Sequence, residues 1–308
     1  MMAITTKLIK ELREKTGVGM MDCKKALVET AGDIEKAIVY LREKGLAAAS
    51  KKAGRIAAEG AVKISVKEDG KTASIVEVNS ETDFVAKNDD FQNFVKDVAD
   101  QAMETETDDV EKFLSEGWLK EAGKSVKEAL NEKIAVIGEN LNIRRFKKVV
   151  SDGCIASYIH GNGKIGALVE ASCDKVDDEV KACLRNVAMQ VAAMNPKYVS
   201  KDEVPEDYIN SEKEILLHQA KTENPEKPDN IIEKMIIGRL NKELKEVCLL
   251  DQGYVQDSDL TVEKYIEKVN KETGANIKIN KFVRYETGEG LEKKEENFAE
   301  EIQKQLGE

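Results

Sequence analysis

The sequence predicts an α+β protein: an N-terminal three-helix bundle, a core of two homologous α/β subdomains with antiparallel strands, an inserted helical hairpin and a C-terminal helix. Three observations carry this. The middle of the chain repeats itself, with Glu59-Gly60 and Asp152-Gly153 opening two units 152 − 59 = 93 positions apart. Residues 4–45 carry the apolar spacing of three short helices. After Asn195-Pro196 the composition shifts to charge clusters alternating with apolar pairs, the pattern of a helical hairpin.

In the first segment Leu8, Ile9 and Leu12 form one apolar helix face, which Gly17-Val18-Gly19 ends with a tight turn. A second helix carries Met20, Cys23, Ala26 and Leu27. Asp33 is placed to cap a third, which buries Ile34, Ala37, Ile38 and Leu41. Lys44–Ala58, rich in Lys, Ala and Gly, reads as a tether.

Each repeat unit is a strand, a glycine-containing hairpin turn, a second strand and an amphipathic helix. The 93-residue offset matches Val62 with Ile155, Gly70 with Gly163, and Ile75-Val76-Glu77 with Leu168-Val169-Glu170. Carried on without a gap, it sets Phe91, Phe94 and Val98 against Leu184, Val187 and Val191. The copies part after the second strand, where the first reads NSETDFVAKN (Asn79–Asn88) and the second SCDKVDD (Ser172–Asp178). Two readings of Phe84 stand at this point. It closes the local core as a hydrophobic staple, with Thr82 or Asp83 as N-cap, or it is offered from an exposed loop to a partner.

Between the repeats, Val110–Ala135 looks helical, and the chain turns at Val136–Asn140 into a strand, Leu141–Val150. A helical hairpin follows over residues 198–250, interrupted by Asn224-Pro225-Glu226-Lys227-Pro228, and has more apolar residues than one stripe requires. That surplus suggests a homodimer through the hairpin. A strand near Ile277–Tyr285 and a charged helix over Glu292–Leu306 complete the chain.

Composition narrows the function. A chain of 308 residues accommodates two to four modules. With 59 acidic against 48 basic residues, it lacks the general positive surface that nucleic acid requires, so no direct nucleic-acid partner is expected. Its apolar runs are too short to span a bilayer, and Met1–Lys10 has neither signal-peptide nor transit-peptide character. Five scattered cysteines (Cys23, Cys154, Cys173, Cys183, Cys248) read as buried thiols of a reducing compartment, so a cytoplasmic location is expected.

Tempting catalytic fragments fail on context. Gly123-Lys124-Ser125 resembles the end of a phosphate-binding loop, but the glycine that loop needs five positions earlier is Trp118. Gly17-Val18-Gly19 lacks the third glycine of a dinucleotide fingerprint, and Gly161-Asn162-Gly163 is a hairpin turn. Cys23 falls on an apolar helix face, and two histidines offer little for acid–base or metal chemistry. No catalytic residue, metal site or cofactor is expected, and the chain reads as a binding protein, not an enzyme.

Several long motifs together resemble the bacterial translation elongation factor Ts family. They are LREKTGVGMMDCKKAL (Leu12–Leu27), EVNSETDFVAK (Glu77–Lys87), Ile137-Gly138-Glu139-Asn140, Tyr158-Ile159-His160, MNPKY (Met194–Tyr198) and RYETGEG (Arg284–Gly290). The resemblance covers essentially the whole chain. It implies a ubiquitin-associated-like domain over residues 1–54, tether included, a core N-subdomain over 55–140, a core C-subdomain over 141–285 and a C-terminal module over 286–308. It implies nucleotide exchange on elongation factor Tu, a GTPase. Lys24 would hold the partner's nucleotide-binding domain. Asp83 and Phe84 would intrude beside its nucleotide, with Phe84 wedged between helices there and the magnesium displaced, and Thr82 and Val85 would also contact the partner. Ile137 and Gly138 would add contacts there, and His160 would approach a distal domain. One departure is Gly253, where relatives usually carry proline. The rival to exchange is a scaffold that binds the GTPase without speeding nucleotide release.

Overall fold

The computed structural model describes residues 4–292. Three helices come first: α1 (Thr6–Thr16), α2 (Met20–Glu29) and α3 (Ile34–Lys52). Gly17 ends α1 in the left-handed conformation, and the Asp33 carboxylate accepts from the Lys36 amide to start α3. Ile9, Leu12, Cys23, Ala26, Leu27 and Ala37 form the buried centre of this bundle. Here the expected tether is corrected. Good helix formers carry α3 on to Lys52, so only Ala53–Ala58 connects the bundle to the first strand.

The first repeat unit is β1 (Glu59–Val66), β2 (Thr72–Ser80), a one-turn helix α4 (Asp83–Ala86) and α5 (Asp89–Glu104). Then come α6 (Val110–Ser115), α7 (Val126–Ile137) and β3 (Asn142–Val150), which completes an antiparallel sheet in the order β1-β2-β3. The helical stretch expected over Val110–Ala135 is thus two helices with a turn between them. Ser125 begins the second with a capping box to Glu128, so the Gly123-Lys124-Ser125 fragment is a helix start. The second unit is β4 (Cys154–His160), β5 (Ile165–Ser172) and α8 (Asp178–Met194). Its third strand, β8 (Lys278–Glu286), arrives only after the hairpin α9 (Glu206–Glu223) and α10 (Asp229–Val247), the short ribbon β6 (Gly253–Tyr254) with β7 (Asp257–Thr261), and α11 (Val262–Thr273). Neither the ribbon nor α11 is among the elements the sequence predicts. The expected helix over Glu292–Leu306 lies outside the described residues, apart from Glu292.

The two sheets pack face to face. Val62, Ala73, Ile75 and Val149 of the first meet Ile155 and Leu168 of the second, while helices cover the outer faces. β2 and β5 are thus buried on both sides, which explains their unbroken apolar runs (Ile75-Val76, Leu168-Val169). The repeat extends to details. Both units carry a register shift at the same point, between Glu77 and Val78 and between Glu170 and Ala171. Gly60 and Gly153 sit against the backbone carbonyls of Val78 and Ala171, where a Cβ has no room.

The ungapped repeat does not hold in the helices. The buried positions Phe91, Phe94, Val95, Val98, Ala99, Gln101 and Ala102 of α5 are matched by Val180, Cys183, Leu184, Val187, Ala188, Gln190 and Val191 of α8, each 89 positions later. The N-caps Asn88 and Asp177 share that spacing. The strands keep 93, so the first unit has four extra residues between strand and helix, as many as α4 contains. A four-residue slip is close to one helical turn, and an apolar face therefore matches itself at either offset.

One buried acid joins the first sheet to the end of the described chain. Glu77 is fully buried and accepts hydrogen bonds from Arg144, Arg145, Asn79 Nδ2 at 3.1 Å and the Gly288 amide at 2.8 Å. Its counterpart Glu170 is served more modestly, by the Ser151 hydroxyl at 2.6 Å and Asn280 at 3.1 Å. Hairpin residues Ile215, Ile231 and Ile237 are exposed, so the apolar surplus of that segment faces outward.

Glu77→Ala removes the buried acceptor of two arginines, the Asn79 side chain and the Gly288 amide, and should cost about 3 kcal/mol of unfolding free energy in urea titrations. All five cysteines are free, but Cys173 is only partly buried, unlike the other four. Burial pushes the Cys183 and Cys248 thiols up to about 11. With a charged thiol reagent at neutral pH, Cys173 should react first, and the others only on unfolding.

Candidate functional site

The loop that distinguishes the two repeats is built on three supports. At its start, the Thr82 backbone is extended and its hydroxyl accepts from the Val85 amide at 3.3 Å, the N-cap of α4. At its end, the Asn88 side chain caps α5 through the Asp90 and Phe91 amides, and Gln92 donates to the Ala86 carbonyl at 2.6 Å. From the side comes Glu139. Its carboxylate accepts the Thr82 hydroxyl at 2.7 Å and the Glu81 and Thr82 amides, each at 3.1 Å.

The packing around these supports excludes the staple reading of Phe84. Val85 turns inward and packs on the cluster that holds Phe91 and Phe94, as does Ile137. Val85 is therefore the apolar anchor of the loop, while Phe84 is 82% exposed. An isolated exposed apolar residue is ordinary, but a phenylalanine held outward on a capped and braced turn presents a rigid apolar point. Beside it, the Lys87 ammonium lies 2.7 Å from the Asp83 carboxylate and holds that group below the usual carboxylate range, with Lys164 adding to the field.

The remaining candidates fall in three places. Gly138 is exposed and ends α7 in the left-handed conformation, with its amide on the Ile134 carbonyl, so Ile137 and Gly138 sit one step from the Glu139 brace. His160 is exposed at the end of β4, its Nδ1 3.2 Å from the Tyr158 hydroxyl. The turn that follows it is brought close to α4, because Ile159, Asn162 and Gly163 line a cleft with Ala86, Lys87 and Gln92. Lys24 is exposed on α2 and stands apart from this group. Its bundle is seated on α7, with Gly45 against Ala135 and Arg42 beside Glu128 and Glu132.

Among the described residues no cluster of His, Cys, Asp and Glu is placed to hold a metal ion, and no helix is long and apolar enough to cross a membrane. Cys23, buried against Thr16 and Val18, has its thiol pushed upward by that burial.

The family model described as Elongation factor TS matches residues 81–289. The chain is 56% identical over 303 residues to Elongation factor Ts of Clostridioides difficile (strain 630), covering 98% of this chain and 99% of that one. The chain belongs to the elongation factor Ts family. Elongation factor Ts proteins of Clostridium kluyveri (strain ATCC 8527) and Clostridium novyi (strain NT) are 55% and 53% identical over 304 residues, at the same coverage of both chains. The matched segment of the family model opens at Glu81, the first residue of the braced loop.

Sequence reasoning alone missed Glu139 and Asn140 as structural partners of the loop. Their motif resembles that of the family, but nothing in their spacing shows contact with residues 57 to 59 positions earlier. Phe84→Ala should leave stability within about 0.5 kcal/mol, whereas Val85→Ala should cost about 1 kcal/mol. Urea unfolding of both variants checks which residue anchors the turn.

Proposed function

We propose that this chain is a guanine-nucleotide exchange factor in translation elongation: it binds elongation factor Tu and promotes release of GDP. The observation that carries the reading is an exposed phenylalanine on a braced helical turn that only one of two structural repeats contains, in a chain of the elongation factor Ts family. In this reading the bundle grips the partner's nucleotide-binding domain through Lys24 and its neighbours. Asp83 and Phe84 enter beside the nucleotide, with Thr82 and Val85 holding them there. Ile137 and Gly138 add contacts, and His160 reaches a distal domain.

The work is done by binding alone. GDP held at nanomolar affinity is stabilised by about 12 kcal/mol, and it leaves slowly unless that affinity is lowered. A protein that prefers the nucleotide-free GTPase weakens GDP by its own differential affinity, and GDP weakens the protein equally. An aromatic ring wedged into a packed region biases one of two arrangements there. Displacing the magnesium ion removes the charge that holds the phosphate oxygens. No bond is made or broken, so no catalytic residue is required. A cytoplasmic location suits five free thiols.

Release of a fluorescent GDP analogue from elongation factor Tu tests the reading. The parent should accelerate release strongly, and Phe84→Ala should lose about tenfold of the effect, the size of an ordinary coupling free energy. Failure of the parent to accelerate release leaves the scaffold reading in its place.

A further inference from the structure

We propose that Glu139 is the positioning residue of this site, the group that fixes where Phe84 stands; the inference rests on the exchange reading above. α4 is four residues long, too short to be held by its own hydrogen bonds. The Phe84 ring belongs to none of the buried clusters, so its position is inherited from the backbone beneath it. That backbone starts at Glu81 and Thr82, and both amides donate to one oxygen of Glu139.

The other oxygen decides the cap. A threonine hydroxyl has one proton and two lone pairs. Thr82 gives its proton to Glu139 at 2.7 Å, which leaves a lone pair for the Val85 amide at 3.3 Å. Without the carboxylate the hydroxyl rotates freely, and the two amides lose their acceptor. The brace is also reciprocal. The Asn140 amide donates to the Glu81 carboxylate at 2.6 Å, Arg55 lies 3.3 Å from the same oxygen, and Asn140 Nδ2 returns to the Arg55 carbonyl at 2.9 Å. Glu139 itself is aimed by the left-handed turn at Gly138 that closes α7.

The test has two arms. In the free protein, Glu139→Ala should speed amide hydrogen exchange at Glu81 and Thr82 about tenfold or more, read by NMR, while circular dichroism shows the fold retained. In GDP-release assays Glu139→Ala should lower the maximal rate about tenfold, and Glu139→Gln, which keeps one acceptor oxygen for the two amides but loses the one that takes the Thr82 proton, should recover only part of it. The combined Glu139→Ala, Phe84→Ala variant should be no slower than Phe84→Ala alone, because both changes remove the same placed ring. Unchanged amide exchange in Glu139→Ala overturns the proposal. So does a loss that adds in full to that of Phe84→Ala, which makes Glu139 an independent contact with the partner. If the parent fails to release GDP, the exchange reading falls, and the amide arm still decides whether Glu139 holds the turn.

Discussion

Glu77 is the constraint on which the core arrangement depends. A carboxylate with no solvent contact is tolerated only when its lone pairs are filled, and this one is filled from three directions. Arg144 and Arg145 come from the neighbouring strand β3, Asn79 from its own strand, and the Gly288 amide from the turn after β8. The same two arginines reach on to Glu286 and Glu289, and Arg145 lies over the Tyr285 ring at 4.3 Å. One buried charge thus joins a strand of the first sheet to the last strand of the second. It explains the composition of the Arg284–Gly290 motif: its glycine at 288, with positive φ, packs against the Ala58 backbone where no side chain fits.

Much of this was legible in the sequence because it is periodic. The strands and the helices of the bundle follow from apolar spacing, and the duplication of β1-β2 in β4-β5 follows from self-similarity. The misreadings have physical causes. A four-residue insertion hides from an ungapped comparison because it advances a helix by about one turn. The Lys- and Ala-rich end of α3 resembles a tether because little of it is buried. The ribbon β6-β7 is too short to carry a period, and α11 was passed over although Ile266 and Val269 lie on its buried face.

The site was legible in composition but not in support. The loop stood out because the repeats disagree there, and the exposure of Phe84 follows once Val85 takes the inward position. Glu139 could not be found this way. Its role comes from a hydrogen-bond pattern between segments nearly sixty residues apart, and a carboxylate in a chain with 59 of them carries no local signal.

The helix α7 has a consequence of a different kind. Its outer side seats the N-terminal bundle, and its last turn leads into the brace of the Phe84 loop. The bundle packs along this helix from Glu128 to Val136, so bundle and loop share one rigid mount about 18 Å long. For a partner that engages both bundle and loop, the second contact is made at a distance already set by the first. A flexible connection would spread that contact over a large volume, whereas a rigid mount concentrates it at one point. The relative placement of bundle and loop is therefore fixed by one helix and not by a linker.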